Sequence, residues 1–150
     1  MLFIALLLVG LNGVFVAAEF SLVKVRKTRL AELAENGSGR AQTALDVTSH
    51  LDAYLSACQL GITLASLGLG WLGEPAVSAL IEPLFTGIAG WSSIYTHTIS
   101  ITISFSLISL LHIVLGELVP KSLAIQKAEG TALGTAGFLK SFYWVCYPII

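Results

Sequence analysis

Three apolar runs, each about as long as a bilayer is thick, limit what this chain can fold into more than any other feature. Residues 2–23 carry one charge, Glu19; residues 51–71 carry only Asp52; residues 98–119 carry only Glu117. A helical crossing of the hydrocarbon core takes about 20 such residues, and a backbone inside lipid must satisfy its own hydrogen bonds, so these runs are read as helices. Composition agrees. Of the 150 residues 55% are hydrophobic and only 11% charged, with a mean hydropathy of +0.84, whereas soluble domains carry about 25% charge. The chain is expected to be an all-α membrane protein with three transmembrane helices. The first run has no basic segment before it and no Ala-x-Ala-like cleavage site, so it reads as a span and not as a signal peptide.

Charge then orients the spans. All eight Lys and Arg fall within residues 24–40 or from 121 onward, while residues 72–97 carry only Glu74 and Glu82. The positive-inside rule places the basic segments in the cytoplasm and residues 72–97 outside, with the N-terminus out and the C-terminus in. Between the first two spans, residues 30–50 are polar and helix-prone, broken by the turn signal Asn36, Gly37, Ser38, Gly39. Gly73, Glu74 and Pro75 are expected to close the second span, with Pro75 near the start of a short apolar helix over 76–88. A loop with Trp91 as interfacial anchor is expected over 87–93. The final segment, about 133–150, is read as a cytoplasmic juxtamembrane belt helix. A crossing there would put Lys140 in mid-bilayer, at a cost of about 2.5–3.5 kcal/mol. Lying along the interface instead, it places Tyr143, Trp144 and Tyr147 at headgroup level. A fourth crossing is the alternative. Because the chain stops at Ile150 inside an apolar run, a longer protein is expected.

The residues that carry chemistry cluster at the end of the third span, LLHIVLGELVPKS at 110–122. Pro120 has no N–H for the carbonyl four residues back, so in a helix the Gly116 carbonyl is left unpaired beside the Glu117 carboxylate. Hard oxygens of this kind suit Mg²⁺, Ca²⁺ or Na⁺. In the second span Ser56, Gln59, Thr63, Ser66 and Gly70 follow helical spacing and share one face, and Gly61, Gly68 and Gly70 permit close helix approach. In the first span Asn12 and Glu19 lie seven apart on one face, with Ser21 near the cytoplasmic end. Single hydroxyls in spans commonly bond to their own helix; Glu19 can equally pair with Lys24 or Arg26, and Glu117 with Lys121. His97 is read as interfacial, and His112 as a helix-to-helix hydrogen bonder. Cys58 and Cys146 read as packing residues. No basic face with interleaved aromatics points to nucleic acid. No phosphate-cradling loop points to ATP, and no nucleophile lies beside an acid or base to suggest an enzyme.

Three blocks, VAAEFSLVKVRKTRL, CQLGITLASLGLGWLGEPAV and HIVLGELVPKSLAIQ, resemble in order the transmembrane domain of the CorC and cyclin-M (CNNM) divalent-cation transporters, often labelled hemolysin-like in bacteria. The resemblance spans about residues 13–127. It implies a homodimer of three-span domains in the plasma membrane, here a bacterial inner membrane, followed by CBS-type regulatory modules that are absent from these 150 residues. It also implies Mg²⁺ as the cargo, with Na⁺ as counter-ion, held by hydroxyls, a carbonyl and a carboxylate. Matched by position, these are Ser21, Gly116 and Glu117, with Pro120 shaping the turn. Ser66 stands where family members that carry Mg²⁺ commonly have asparagine, and Ile62 where a polar residue is frequent. Thr63 and Gln59 offer further oxygens from the same face. Export of Mg²⁺ or a related divalent cation by alternating access is one reading. A non-transporting dimeric anchor or sensor for cytoplasmic domains is the other. A pore-forming hemolysin does not fit three spans that lack an amphipathic lytic helix.

Overall fold

A computed structural model describes residues 1–85 and 93–150, all of its regular structure helical. The loop expected over 87–93, with Trp91, lies outside the described residues apart from the start of the fifth helix. α1 (Leu2–Lys24) is apolar apart from Asn12, Glu19, Ser21 and its last residue, Lys24, and ends where Val25 turns extended. α2 (Lys27–Glu35) and α3 (Gly39–Ser49) form a polar pair. Gly37 between them has a φ of 89°, a left-handed conformation suited to glycine. Ser38 caps α3 by accepting a hydrogen bond from the Ala41 N–H at 3.3 Å. α4 (Leu51–Phe85) is the longest helix. α5 (Ser93–Leu111) passes through a π-helical turn, His112–Leu118, into α6 (Val119–Gln126), and α7 (Ala128–Cys146) follows. Three stretches are long and apolar enough to cross a membrane: Leu2–Lys24, Leu51–Leu84 and Ile94–Gln126.

The break expected at residues 73–75 does not occur. α4 continues through Pro75 and Pro83 to Phe85, so residues 76–85 of the short helix expected over 76–88 belong to the same element, and the rest of that stretch lies outside the described residues. A proline removes one backbone bond without ending a helix when its neighbours hold the axis straight. Gly73 is buried, and a Cβ there would meet the Ile108 side chain at 3.4 Å. Its small size serves the approach of α5 and not a turn. The belt segment also begins earlier than expected, at Ala128, and is helical to Cys146.

Two apolar cores lie one above the other. The inner one joins Phe15, Ala18 and Leu22 of α1 to Leu30 of α2, Ala44 and Val47 of α3, Ala57 and Cys58 of α4, and Ala132, Ala136 and Leu139 of α7. Phe15 anchors it. Its ring lies 5.2 Å from that of Phe138 and 4.7 Å from that of Phe142, and it presses on α4 where Gly61 has no side chain. Two ion pairs tie α7 to the polar pair: Lys140 to Asp46 at 2.5 Å, and Arg29 to Glu129 at 3.2 Å. Lys140 thus has its counter-charge on α3. The outer core is smaller: Ala5, Val9, Leu69, Val77 and Ile108. A polar layer separates the two.

Candidate cation site

That layer is built where α1, α4 and the π-turn meet. A π-turn widens the helix by one residue and loosens its hydrogen-bond ladder, and such turns concentrate at functional positions. The N–H of Val119 reaches back to the Val114 carbonyl, and Pro120 has no N–H to offer. The Gly116 carbonyl is therefore available to a neighbouring helix. It is not left empty, as the sequence suggested: the Asn12 side-chain amide donates to it at 3.0 Å. The proline frees the carbonyl from its own helix, and a tertiary partner takes it.

Asn12 is buried, and its bonds orient the rest of the layer. With Nδ2 donating to Gly116, its Oδ1 is left to accept from the Ser66 hydroxyl at 3.4 Å. The single Ser66 proton is then committed, so His112, whose Nε2 lies 3.4 Å from Ser66 Oγ, is assigned the tautomer that donates from Nε2. The relay runs from His112 through Ser66 and Asn12 to Gly116 and joins three membrane helices. Gly116 fits tightly against it: a Cβ there would come within 2.9 Å of the His112 ring and 3.3 Å of Asn12 Nδ2. Pro120 packs on α1 in the same way, its Cγ 2.9 Å from where a Gly13 Cβ would stand.

Beside this relay lies a cavity of about 530 Å³, lined by Asn12, Val16, Glu19 and Phe20 from α1, Gln59, Ile62, Thr63 and Ser66 from α4, and His112 and Glu117 from the π-turn. At roughly 30 Å³ per water it has room for a small cation with a full shell of six. Two carboxylates face it, and no Lys or Arg lines it. Neither Glu19 nor Glu117 forms an ion pair or hydrogen bond among the described residues. The pairing of Glu117 with Lys121 is not seen: Lys121 lies over the Phe20 ring, 4.4 Å from its centroid. Nor is Glu19 paired with Lys24 or Arg26; it faces the cavity instead.

Of the residues picked from the sequence, Glu117, Ser66, Thr63 and Gln59 share this cavity. The Thr63 hydroxyl bonds back to the Gln59 carbonyl at 2.8 Å but retains its lone pairs. Ser21 stands apart, fully buried with its hydroxyl donating to the Ala18 carbonyl at 3.0 Å. Ser56 and Gly70, the ends of the polar face read on α4, do not line the cavity. Asn12, Glu19 and His112 are the additions. The signal for the first two was present in their seven-residue spacing on an otherwise apolar helix. Among the described residues no three His, Cys, Asp or Glu gather as a metal cluster. What oxygen ligation the cavity offers comes from two carboxylates with hydroxyl and side-chain amide groups, a donor set that suits hard cations rather than zinc or copper. The Gly116 carbonyl is held by Asn12, and Gly116 does not line the cavity.

A profile of the family described as "Cyclin M transmembrane N-terminal domain" matches residues 3–150. Among similar proteins, UPF0053 protein YugS of Bacillus subtilis is 48% identical over 143 residues, covering 95% of this chain and 33% of the relative. UPF0053 protein YhdP of the same organism is 44% identical over 149 residues, covering 99% of this chain and 33% of its own length. An uncharacterized protein of Mycobacterium tuberculosis is 43% identical over 130 residues, 87% of this chain and 36% of that protein. The chain thus spans about a third of the length of these curated relatives. With a family match over nearly its whole length, three helices able to span a membrane and close relatives in several bacteria, the chain belongs to the cyclin M transmembrane-domain family.

Proposed function

We propose that this domain moves Mg²⁺ or a related divalent cation out of the cell by alternating access, with Na⁺ entry as the driving force. The observation that carries the reading is the cavity itself. Two unpaired carboxylates and several neutral oxygens converge there from three membrane helices, where an isolated charge is costly and retained for function. With the basic ends in the cytoplasm, the cavity lies in the inner half of the membrane, beside the broken helical ladder at which transporters commonly hold ions. Glu117 supplies the principal charge and Glu19 a second. Ser66, Thr63 and Gln59 offer neutral oxygens. The Gly116 carbonyl and Ser21 join them only if Asn12 and the Ala18 carbonyl release their present bonds. Mg²⁺ gives up its waters reluctantly and demands near-octahedral oxygen geometry, so a roomy cavity that accepts it hydrated and then tightens suits it. The domain is proposed to act as a homodimer in the bacterial inner membrane.

The test is cation flux in proteoliposomes. Glu117→Gln keeps the size of the side chain and removes its charge, and is expected to reduce flux by at least about a hundredfold, in line with the loss of a principal charged ligand. Wild-type flux in that variant rules out the site. Calorimetric titration of the same variant and of Ser66→Asn with several cations is expected to show lost binding in the first and a shift toward Mg²⁺ in the second. The anchor reading draws on the two ion pairs that fix α7 to α2 and α3, since a rigid inner platform also suits a domain that positions others. No flux of any ion would favour it.

A further inference from the structure

Polar residues do not stop at the inner cavity. Farther out, on α4 and α5, Ser78, Thr96, Ser100 and Ser104 are all buried. Thr96, Ser100, Ser104 and Ile108 recur every four residues and so share one face of α5. Ile108 belongs to the outer apolar core with Val9, Leu69 and Val77. One helix face therefore begins as hydroxyls at its outer end and becomes apolar where it nears the cavity.

Hydroxyls in such helices usually return a bond to the carbonyl four residues back. Thr98, Thr102, Ser104 and Ser106 do so, at 2.9, 2.8, 2.6 and 2.8 Å. Ser100 does not: its Oγ is buried and without a partner among the described residues. A buried hydroxyl with no protein partner is free to bond a water or an ion with its waters. The charge at the outer ends of these helices also suits a cation. Glu82 and His97 stand 4.0 Å apart there, and residues 72–97 contain Glu74 and Glu82 but no Lys or Arg. Toward the cytoplasm the apolar block is thin. Val9 lies three residues before Asn12 and Leu69 three after Ser66, one helical turn from the cavity lining on each helix.

We propose that this buried hydroxyl seam between α4 and α5 is the outward half of the cation's path, shut off from the inner cavity by Val9, Leu69, Val77 and Ile108. The inference rests on the transport reading above. Separation of Ile108 from Gly73 opens the block, and the Ser100 hydroxyl then replaces part of the ion's hydration. Neutral oxygens suit an exit route, because they solvate a cation without holding it.

Cysteine accessibility in cells expressing the full chain tests the seam. In a background with Cys58→Ala and Cys146→Ser, Ser100→Cys and Ser104→Cys are treated from outside with a membrane-impermeant, positively charged methanethiosulfonate. Ile101→Cys, at the depth of Ser100 but on the exposed side of α5, is the comparison. A transporter opens outward as a minor state of roughly 0.1–10% of molecules, so the seam cysteines are expected to react at least about tenfold faster than Ile101→Cys. Ile108→Ala is expected to accelerate Ser104→Cys further. Reaction of both seam variants no faster than Ile101→Cys, with divalent cation present or absent, overturns the proposal. Flux measured on the same variants separates the two readings. Normal flux with unreactive seam cysteines removes the seam and leaves transport standing, whereas no flux in the parent chain removes both.

Discussion

The inner and outer halves of this domain are held together by different means. In the inner half five helices share one core, an aromatic cluster centres on Phe15, and two ion pairs fix α7 across the layer. In the outer half three helices meet over five buried apolar side chains, and buried hydroxyls replace hydrocarbon beyond them. On the transport reading, the difference would separate rigidity from motion. A site that must hold an ion needs fixed helix axes, which the larger core could supply, and a gate needs a contact that can part, for which the smaller core is suited.

Removing the anchors of the two cores breaks the comparison most directly. Phe15→Ala is expected to destabilise the domain by about 3–5 kcal/mol, because two aromatic rings and the α4 backbone close on that one side chain. Ile108→Ala, in the thinner core, is expected at the low end of such losses, about 2 kcal/mol. Unfolding in mixed micelles measures both, and equal losses would erase the distinction between the halves.

Two glycines of α4 sharpen it at smaller scale. A Cβ at Gly61 would stand 2.5 Å from the Phe15 ring, which Phe138 and Phe142 prevent from yielding. Gly61→Ala is therefore expected to lose about 1–3 kcal/mol through overpacking. At Gly70 nothing lies within 4 Å, so Gly70→Ala is expected to lose nothing and to gain up to about 1 kcal/mol of helix propensity. The same unfolding assay compares them.

The smallest effect is electrostatic. The hydrogen bond from Lys140 holds the Asp46 carboxyl below the usual carboxylate range, and the Asp46 carboxylate raises Lys140. The Asp46 contribution is present above the ordinary carboxylate pKa and is lost as pH falls through its lowered folded value. The Lys140 contribution is present below the ordinary lysine pKa and is lost as pH rises through its raised one. The stability gap between the parent and Asp46→Asn is thus expected to be small and flat from about pH 5 to 9, and to vanish as the medium is acidified below about pH 4. A gap that persists in strong acid would show that Asp46 acts through packing.

The helices were legible because hydropathy is a local property. Long apolar runs, segregated Lys and Arg, and the glycine turn at 36–39 each act over a few residues and needed no knowledge of neighbours. Pro75 misled because a proline's effect on a helix depends on what braces it, and α5 braces α4 there through Gly73. Much of the cavity lining could be picked from residue type and spacing: Glu117 by its charge beside Pro120, and Gln59, Thr63 and Ser66 by their shared face. Ser21, matched by the family resemblance, has its hydroxyl on the Ala18 carbonyl of its own helix, a bond that residue type does not reveal.

What the sequence determined by itself is therefore the number of membrane helices, the side on which the basic charge gathers, and the carboxylate near the end of the third span. What only the tertiary structure decided is which partner each freed group meets. Asn12 takes the Gly116 carbonyl, Ser66 lies between Asn12 and His112, and Glu19 turns to the cavity while Lys121 covers Phe20. These choices follow from the rotation of each helix about its axis and the depth at which small residues let the axes approach. Both are set by contacts between residues as many as 104 positions apart, which no local pattern encodes.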